Sequence, residues 1–209
     1  MDLFEPAAFG SATFPEPRAF QIAAHQALRD GVRAGHRCQM LMSPTGSGKT
    51  YLGLRIIHEA LAKGRRAAFV ADRTTLINQT SAVADSYGLT AHGVMQAQHW
   101  RYRPDMPFQI ISAQTVARRE WPDFDVIVID EAHTQMAAWV EHIKTCRAMV
   151  IGLSATPFSP GLGRLFSNLV NAATMSDLTE SGVLVPMRVF TCTRANMVGA
   201  ATSGGEWTD

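Results

Sequence analysis

Cysteine is nearly missing from this chain. Cys38, Cys146 and Cys192 are the three thiols in 209 residues, odd in number, far apart and without a C-x-x-C pair. That excludes a disulfide framework and a cysteine-built structural zinc, and it suits a reducing compartment. Excess charge of one sign is missing too: nineteen basic against eighteen acidic side chains leave a net charge of +1. A general polyanion-binding surface is therefore excluded, and any nucleic-acid contact has to come from local patches. No apolar run approaches the ~20 residues that cross a bilayer. The N-terminal MDLFEPAAFG has neither the basic start nor the continuous apolar stretch of a signal peptide. Internal repeats and low-complexity runs are also lacking. These absences lead to the expectation of a soluble, cytoplasmic chain.

What is present is an alternating pattern. With 46% hydrophobic residues the chain can bury one full core. Residues 1–17, with Pro6, Gly10, Pro15 and Pro17, read as an irregular lead-in. The spacing of Phe20, Ala23/Ala24 and Ala27/Leu28 predicts a helix over 18–34, ended by Gly31 or Gly35. Strands are expected at 38–42, 67–71, 92–95, 108–112, 125–130 and 148–153, and helices at 48–62, 74–87, 114–118 and 132–144. A softer region follows Pro157, with a helical turn near 176–181 and a strand at 187–192. Residues 195–209 read as a polar tail or the start of a linker, with the Gly-rich SGGEWTD expected to fray. Hydrophobicity within the strands is continuous rather than alternating, which marks strands covered on both faces. The fold class expected is α/β, a mainly parallel central sheet flanked by helices on both faces.

Two of these strands run into chemistry. Met40-Leu41-Met42 leads into SPTGSGKT, Ser43 to Thr50. A loop that cradles phosphates must turn its N–H groups inward, which side chains obstruct; Gly46 and Gly48 permit the approach, and the helix that follows aims its N-terminal dipole at the anion. Lys49 would then reach the β and γ phosphates of a nucleotide, and Thr50 would place its hydroxyl on Mg²⁺. The loop departs from the strict G-x-x-x-x-G-K-[ST] pattern, because Ser43 stands at the first glycine position. The strand Val126-Ile127-Val128-Ile129 runs into Asp130-Glu131-Ala132-His133. Asp130 would hold the metal and Glu131 would orient or deprotonate the attacking water. His133 has no second histidine four residues away, so a role linking the phosphate face to its surroundings is preferred to zinc binding.

With these motifs the chain resembles the superfamily 2 DEAD/DEAH-box helicases and translocases, in the DEAH branch that includes restriction-enzyme motor subunits and repair helicases. SPTGSGKT is similar to motif I, where this family commonly has Ser or Ala first, and Asp130 to His133 to motif II. Ser154-Ala155-Thr156, before Pro157, resembles the coupling motif III. Arg18-Ala19-Phe20-Gln21 resembles the R-x-x-Q adenine-reading motif. FVADRTTLINQ (69–79) resembles motif Ia, and SAQTV (112–116) a later strand-contacting motif. The resemblance covers 18–194 and implies a RecA-like P-loop NTPase domain with the Ser-Ala-Thr strand between the strands of motifs I and II. It implies Arg18, Gln21, Pro44, Thr45, Gly46, Ser47, Gly48, Lys49 and Thr50 as nucleotide contacts, Lys49, Asp130, Glu131 and His133 as catalytic, and Thr50 and Asp130 as metal-binding. ATP and Mg²⁺ are the implied cofactors. The implied partner is nucleic acid, DNA before RNA, contacted by Arg73, Thr74, Gln79, Gln114 and Thr115. The family also needs a second RecA-like domain bearing Q-x-x-G-R-x-x-R, and no such segment occurs in this sequence. The chain is accordingly expected to be half a motor, weakly active alone.

Other readings of the same residues stay open at this level. Arg73 and Thr74 could cap the helix that follows, with Gln79 exposed on it. His99-Trp100-Arg101-Tyr102-Arg103 interleaves aromatics with positive charge, the composition of a stacking and phosphate surface. It could equally be a loop that tucks Trp100 into the core with both arginines in water. Against the motor stand a non-motor P-loop NTPase and a module that binds ATP or nucleic acid without turnover. The guanine-reading [NT]-K-x-D of a GTPase is lacking.

Overall fold

The inner strands of the central sheet carry apolar side chains on both faces, because each face is roofed by helices. The computed structural model describes residues 13–96, 98–117, 121–134, 137–186, 188, 201–203 and 206–208. Seven parallel strands are hydrogen-bonded side by side: β1 (Cys38–Met42), β2 (Ala67–Ala71), β3 (His92–Met95), β4 (Phe108–Ser112), β5 (Val126–Ile129), β6 (Met149–Ser154) and β7 (Asn168–Asn171). Their order across the sheet is β3-β4-β2-β5-β6-β1-β7. The helices are α1 (Ala19–Arg33), α2 (Lys49–Leu61), α3 (Thr74–Ser86), α4 (Ala113–Val116), α5 (Ala137–Thr145), α6 (Leu162–Leu165) and α7 (Met175–Glu180). None is long and apolar enough to cross a membrane.

Alternate residues of one strand feed two separate cores. Val126 and Val128 of β5 join Leu52, Ile57, Phe69, Ile77 and Leu153 beneath α1, α2 and α3. Ile127 and Ile129 join Val70, Ile111, Trp139, Ile143 and Phe166 on the α5 side. A strand serving two cores cannot alternate with polar residues, and this is why its hydrophobicity reads as continuous.

The expected α/β sheet is therefore present, and β6, the Ser-Ala-Thr strand, lies between the β1 and β5 strands. Several details differ from the sequence reading. Gly31 does not end α1; it lies buried inside the helix. A Cβ there would fall 1.9 Å from Gln39 Oε1, so glycine is demanded by the neighbouring strand. The helix ends at Ala34, followed by Gly35 at φ +91°. The single helix expected over 132–144 is broken: a 3-10 turn, Ala132–Thr134, precedes α5. The soft region after Pro157 contains α6 and the edge strand β7, which pairs with β1 from Gln39↔Asn168 to Met42↔Asn171. The segment read as a polar tail carries an antiparallel pair, β8 (Ala201–Ser203) with β9 (Glu206–Thr208). The strand expected at 187–192 lies outside the described residues, Arg188 apart, as do residues 1–12 of the lead-in and Arg118-Arg119.

Candidate phosphate-binding site

Register places the chemistry at one end of the sheet. Met42 of β1 stands opposite Ser154 of β6, and Ile129 of β5 opposite Gly152. Ser43 and Asp130 thus leave the sheet on either side of Ser154, about two strand spacings (~10 Å) apart. Ser43 N–H donates to Ser154 O at 3.0 Å, and Asp130 N–H to Val70 O at 2.9 Å, so both turns are continuous with the sheet ladder.

The loop 43–50 is held by its own hydroxyls. Ser43 Oγ donates to Ser47 Oγ at 2.6 Å, and Ser47 Oγ donates to Pro44 O at 2.6 Å; both serines are fully buried. Ser43, the departure from glycine in the motif, therefore supplies a brace that glycine could not. Gly46 and Gly48 sit at φ +81° and +90°, conformations that suit glycine and turn successive N–H groups toward one concavity. Gly48 is the residue before α2, so the concavity opens at that helix's N-terminus. Lys49 is 9% exposed, and its Nζ donates to Ser43 O at 3.3 Å and Pro44 O at 3.4 Å. Long bonds of this kind exchange readily for phosphate oxygens. Thr45 and Gly46 are exposed, and Thr50 is half-buried on the first turn of α2.

Gln21, assigned by resemblance to the adenine edge, is 5% exposed and has both ends of its amide engaged. Its Oε1 accepts from Arg18 N–H at 3.0 Å, and its Nε2 donates to Ser47 O at 3.1 Å. It ties the start of α1 to the phosphate loop, while Arg18 itself is exposed. Leu184 also lies against the loop, 3.1 Å from where a Cβ on Gly46 would be. Nothing in the local sequence signals the Leu184 contact, since it depends on how the chain returns after α7.

The acid side is strained and linked. Glu131 has φ +47°, the one positive φ outside glycine among the described residues, a conformation that costs energy and concentrates at working sites. It is held by four contacts. Glu131 N–H donates to Asp130 Oδ1 at 3.1 Å, Glu131 Oε2 lies 3.2 Å from His133 Nδ1, and Thr134 donates to Glu131 O through its N–H at 3.0 Å and its Oγ1 at 3.1 Å. His133 Nδ1 also lies 3.0 Å from Ser154 Oγ, which accepts from Thr156 N–H at 3.0 Å. A continuous chain thus runs from Glu131 through His133 and Ser154 to Thr156, with Ala155 between the last two. Burial, and then the adjacent Glu131 carboxylate, push the Asp130 carboxyl above its ordinary value; the hydrogen bond from Glu131 N–H, and then Lys49 and His133, pull it back only in part.

The residues implicated in nucleic-acid contact lie on neighbouring strand ends. Arg73, Thr74 and Gln79 are exposed at and along α3, and Gln114 is exposed and Thr115 half-buried on α4. Arg73 occupies the position before α3 without a side-chain cap bond, so the capping alternative for its side chain is not what the structure shows. Thr74 Oγ1 accepts from Gln96 Nε2 at 2.9 Å. The 99–103 segment reverses one of its two readings: Trp100 is 78% exposed, whereas Arg101 turns inward to Asp85, Ser81 and His92.

Comparison with known proteins places the chain in a family. Residues 14–159 match the family described as type III restriction enzyme, res subunit. The chain is 29% identical over 197 residues to a type I restriction enzyme EcoAI endonuclease subunit of Escherichia coli, covering 83% of this chain and 24% of that one. It therefore spans about a quarter of the length of that relative. Among solved structures it superposes on the UvsW helicase of bacteriophage T4 with a TM-score of 0.60 at 18% identity, covering 75% of this chain and 60% of that one. A nuclease-deletion mutant of the type ISP restriction-modification enzyme LlaGI, solved with a DNA substrate mimic, gives 0.64 at 15% identity, covering 81% and 21%. The chain belongs to the type III restriction enzyme res-subunit family, and its seven-stranded parallel sheet has the RecA-like fold found in helicase domains.

Proposed function

We propose that this domain binds ATP with Mg²⁺, hydrolyses it, and uses the cycle to move along nucleic acid, DNA before RNA. The observation that supports this most is the meeting of Lys49, Asp130-Glu131 and the His133–Ser154 link around the ends of three adjacent strands. Lys49 would exchange its loop carbonyls for β and γ phosphate oxygens. Glu131, fixed by its backbone conformation and by His133, would orient the attacking water and take its proton.

The donor set fits magnesium. A hydroxyl at Thr50 and a carboxylate at Asp130 are hard oxygen ligands, and Mg²⁺ needs only one or two carboxylates because phosphates and waters complete its octahedron. Among the described residues no three His, Cys, Asp or Glu side chains cluster as a site made only of protein would require. Asp130 is short of compensating positive charge, the condition a cation relieves. When bound, the ion neutralises charge developing on the transferred phosphoryl group. The chain from His133 through Ser154 to Thr156 is suited to report the state of that phosphate to the exposed end of β6. Gln21 would act first as a brace of the phosphate loop, with adenine contact requiring it to release Ser47 O.

Turnover by this chain alone should be slow. Arginine fingers contribute roughly 10³ to 10⁵ in rate, and the Q-x-x-G-R-x-x-R segment that would supply them is not in this sequence. The test measures nucleotide binding and phosphate release for the parent, Lys49→Ala and Glu131→Gln, each with and without single-stranded and duplex DNA. The parent should bind ATP and release phosphate slowly, Lys49→Ala should lose affinity, and Glu131→Gln should bind but not hydrolyse. Equal affinity for ATP in parent and Lys49→Ala, or turnover untouched by Glu131→Gln, would sink the reading.

A further inference from the structure

The segment after β3 does not cross freely to β4; it is strapped along α3. Gln96 Nε2 donates to Thr74 Oγ1 at 2.9 Å, and His99 Nε2 lies 3.1 Å from Asn78 Oδ1. Val94 N–H donates to Arg101 O at 2.9 Å, so the strap also covers part of the open edge of β3. Arg101 is its anchor. The guanidinium donates to both Asp85 oxygens at 3.0 and 2.8 Å, to Ser81 Oγ at 3.1 Å and to His92 Nε2 at 2.7 Å.

With Arg101 turned in, Trp100 beside it is turned out. The indole is 78% exposed, yet it is not loose. The His99 ring lies stacked beside it at 5.8 Å and 27°, and the Arg101 guanidinium sits 4.8 Å from its centroid. An indole left in water forgoes a large hydrophobic gain, and here the side chains on either side of it are pinned. Arg103, three residues on, is exposed, as is Arg73 where α3 begins. Arg101 is matched by Asp85, so Arg73 at the start of α3 and Arg103 on the strap supply the positive charge available to a ligand.

We propose that Trp100, flanked by His99 and Arg103, is a preformed stacking platform for an unpaired base of single-stranded nucleic acid. It lengthens along α3 a track that begins at Arg73 and Thr74. The inference rests on the nucleic-acid reading above and adds to it a contact that no motif of the family assigns. Charge and π-face together favour nucleic acid over an apolar protein partner: a strand offers phosphates to the two arginines and a flat ring to the indole.

The test is anisotropy of a fluorescein-labelled oligothymidylate titrated with the full chain over a range of salt. Trp100→Ala should weaken binding about five- to a hundred-fold, the effect of losing one base–aromatic stack. Trp100→Phe should restore most of it, and Trp100→Leu, which keeps apolar area without a π-face, should not. The slope of log affinity against log salt should be unchanged in Trp100→Ala and fall by about 0.7 in Arg103→Gln, which removes one phosphate contact. Parent-like affinity in Trp100→Ala while Arg73→Ala weakens binding overturns the platform and leaves the nucleic-acid reading standing. An oligonucleotide that the parent does not bind overturns both. Rescue by leucine as complete as by phenylalanine overturns base stacking, because apolar area without a π-face would then suffice.

Discussion

Asp130 carries a penalty that function explains and stability alone would not. Burial and the neighbouring Glu131 raise its pKa above the ordinary 3.8. The folded chain then holds that proton more tightly than the unfolded one, so this contribution to stability falls as pH rises through the raised value. Asp130→Asn removes the penalty. In nucleotide-free melts the variant should unfold at a higher temperature than the parent at neutral pH, with the gap closing as pH falls toward about 4. The same variant should lose stabilisation by ATP and magnesium. A lower melting point at neutral pH would contradict this assignment of strain. Gly48 shows a second residue-scale demand. At φ +90° and with Gln21 Nε2 2.8 Å from its notional Cβ, Gly48→Ala should abolish ATP binding while leaving far-UV circular dichroism intact.

At the scale of elements, α2 reaches the sheet through Gly53. A Cβ there would meet Phe69 Cε2 at 2.9 Å, Val128 Cγ1 at 3.1 Å and Leu153 Cδ1 at 3.2 Å, side chains of β2, β5 and β6. Alanine favours a helix over glycine by about 1 kcal/mol, whereas overpacking a tight core costs about 1–3 kcal/mol. Packing should win: Gly53→Ala is expected to lower the urea midpoint, and because α2 carries Lys49 and Thr50, to weaken ATP binding with it. A raised midpoint would show that the three neighbours give way. The strands beneath α2 were legible in the sequence because each is a short, wholly apolar run. β7 was not, since Asn168-Leu169-Val170-Asn171 combines poor strand formers with an exposed leucine. Pairing with β1 makes it a strand. The choice between Gly31 and Gly35 as the stop of α1 was open in the sequence for a related reason: the partner that demands glycine at 31, Gln39, lies on β1 and also donates to Leu28 O and accepts from Asn168.

Across the whole molecule, histidines set the acid limit. His92 is fully buried between Ser81, Leu89 O and Arg101, and burial lowers its pKa below 6.5. His142, stacked at 4.2 Å on Trp121, is lowered by burial as well. The unfolded chain binds protons at these positions that the folded chain refuses, so this stability is complete above pH 6.5 and is lost as pH falls below it. Melting temperature should therefore drop between about pH 7 and pH 5, and less steeply in His92→Gln, which can hydrogen-bond but cannot titrate. Asp130 acts in the opposite direction, so Asp130→Asn and His92→Gln should change the pH dependence of melting with opposite sign.

The order of elements from α1 to β6, the parallel sheet and the loop and acid pair of the phosphate site came from the sequence by itself. Phosphate cradling needs glycines before a lysine, and strands buried on both faces need unbroken apolar runs; both requirements are local and leave a local trace. Tertiary structure alone decided that Ser43 braces Ser47, that Gln21 holds the loop, that His133 joins Glu131 to Ser154, and that Arg101 turns in so that Trp100 turns out. Each of these depends on which distant groups the fold brings within a hydrogen bond of one another, and spacing along the chain does not encode that.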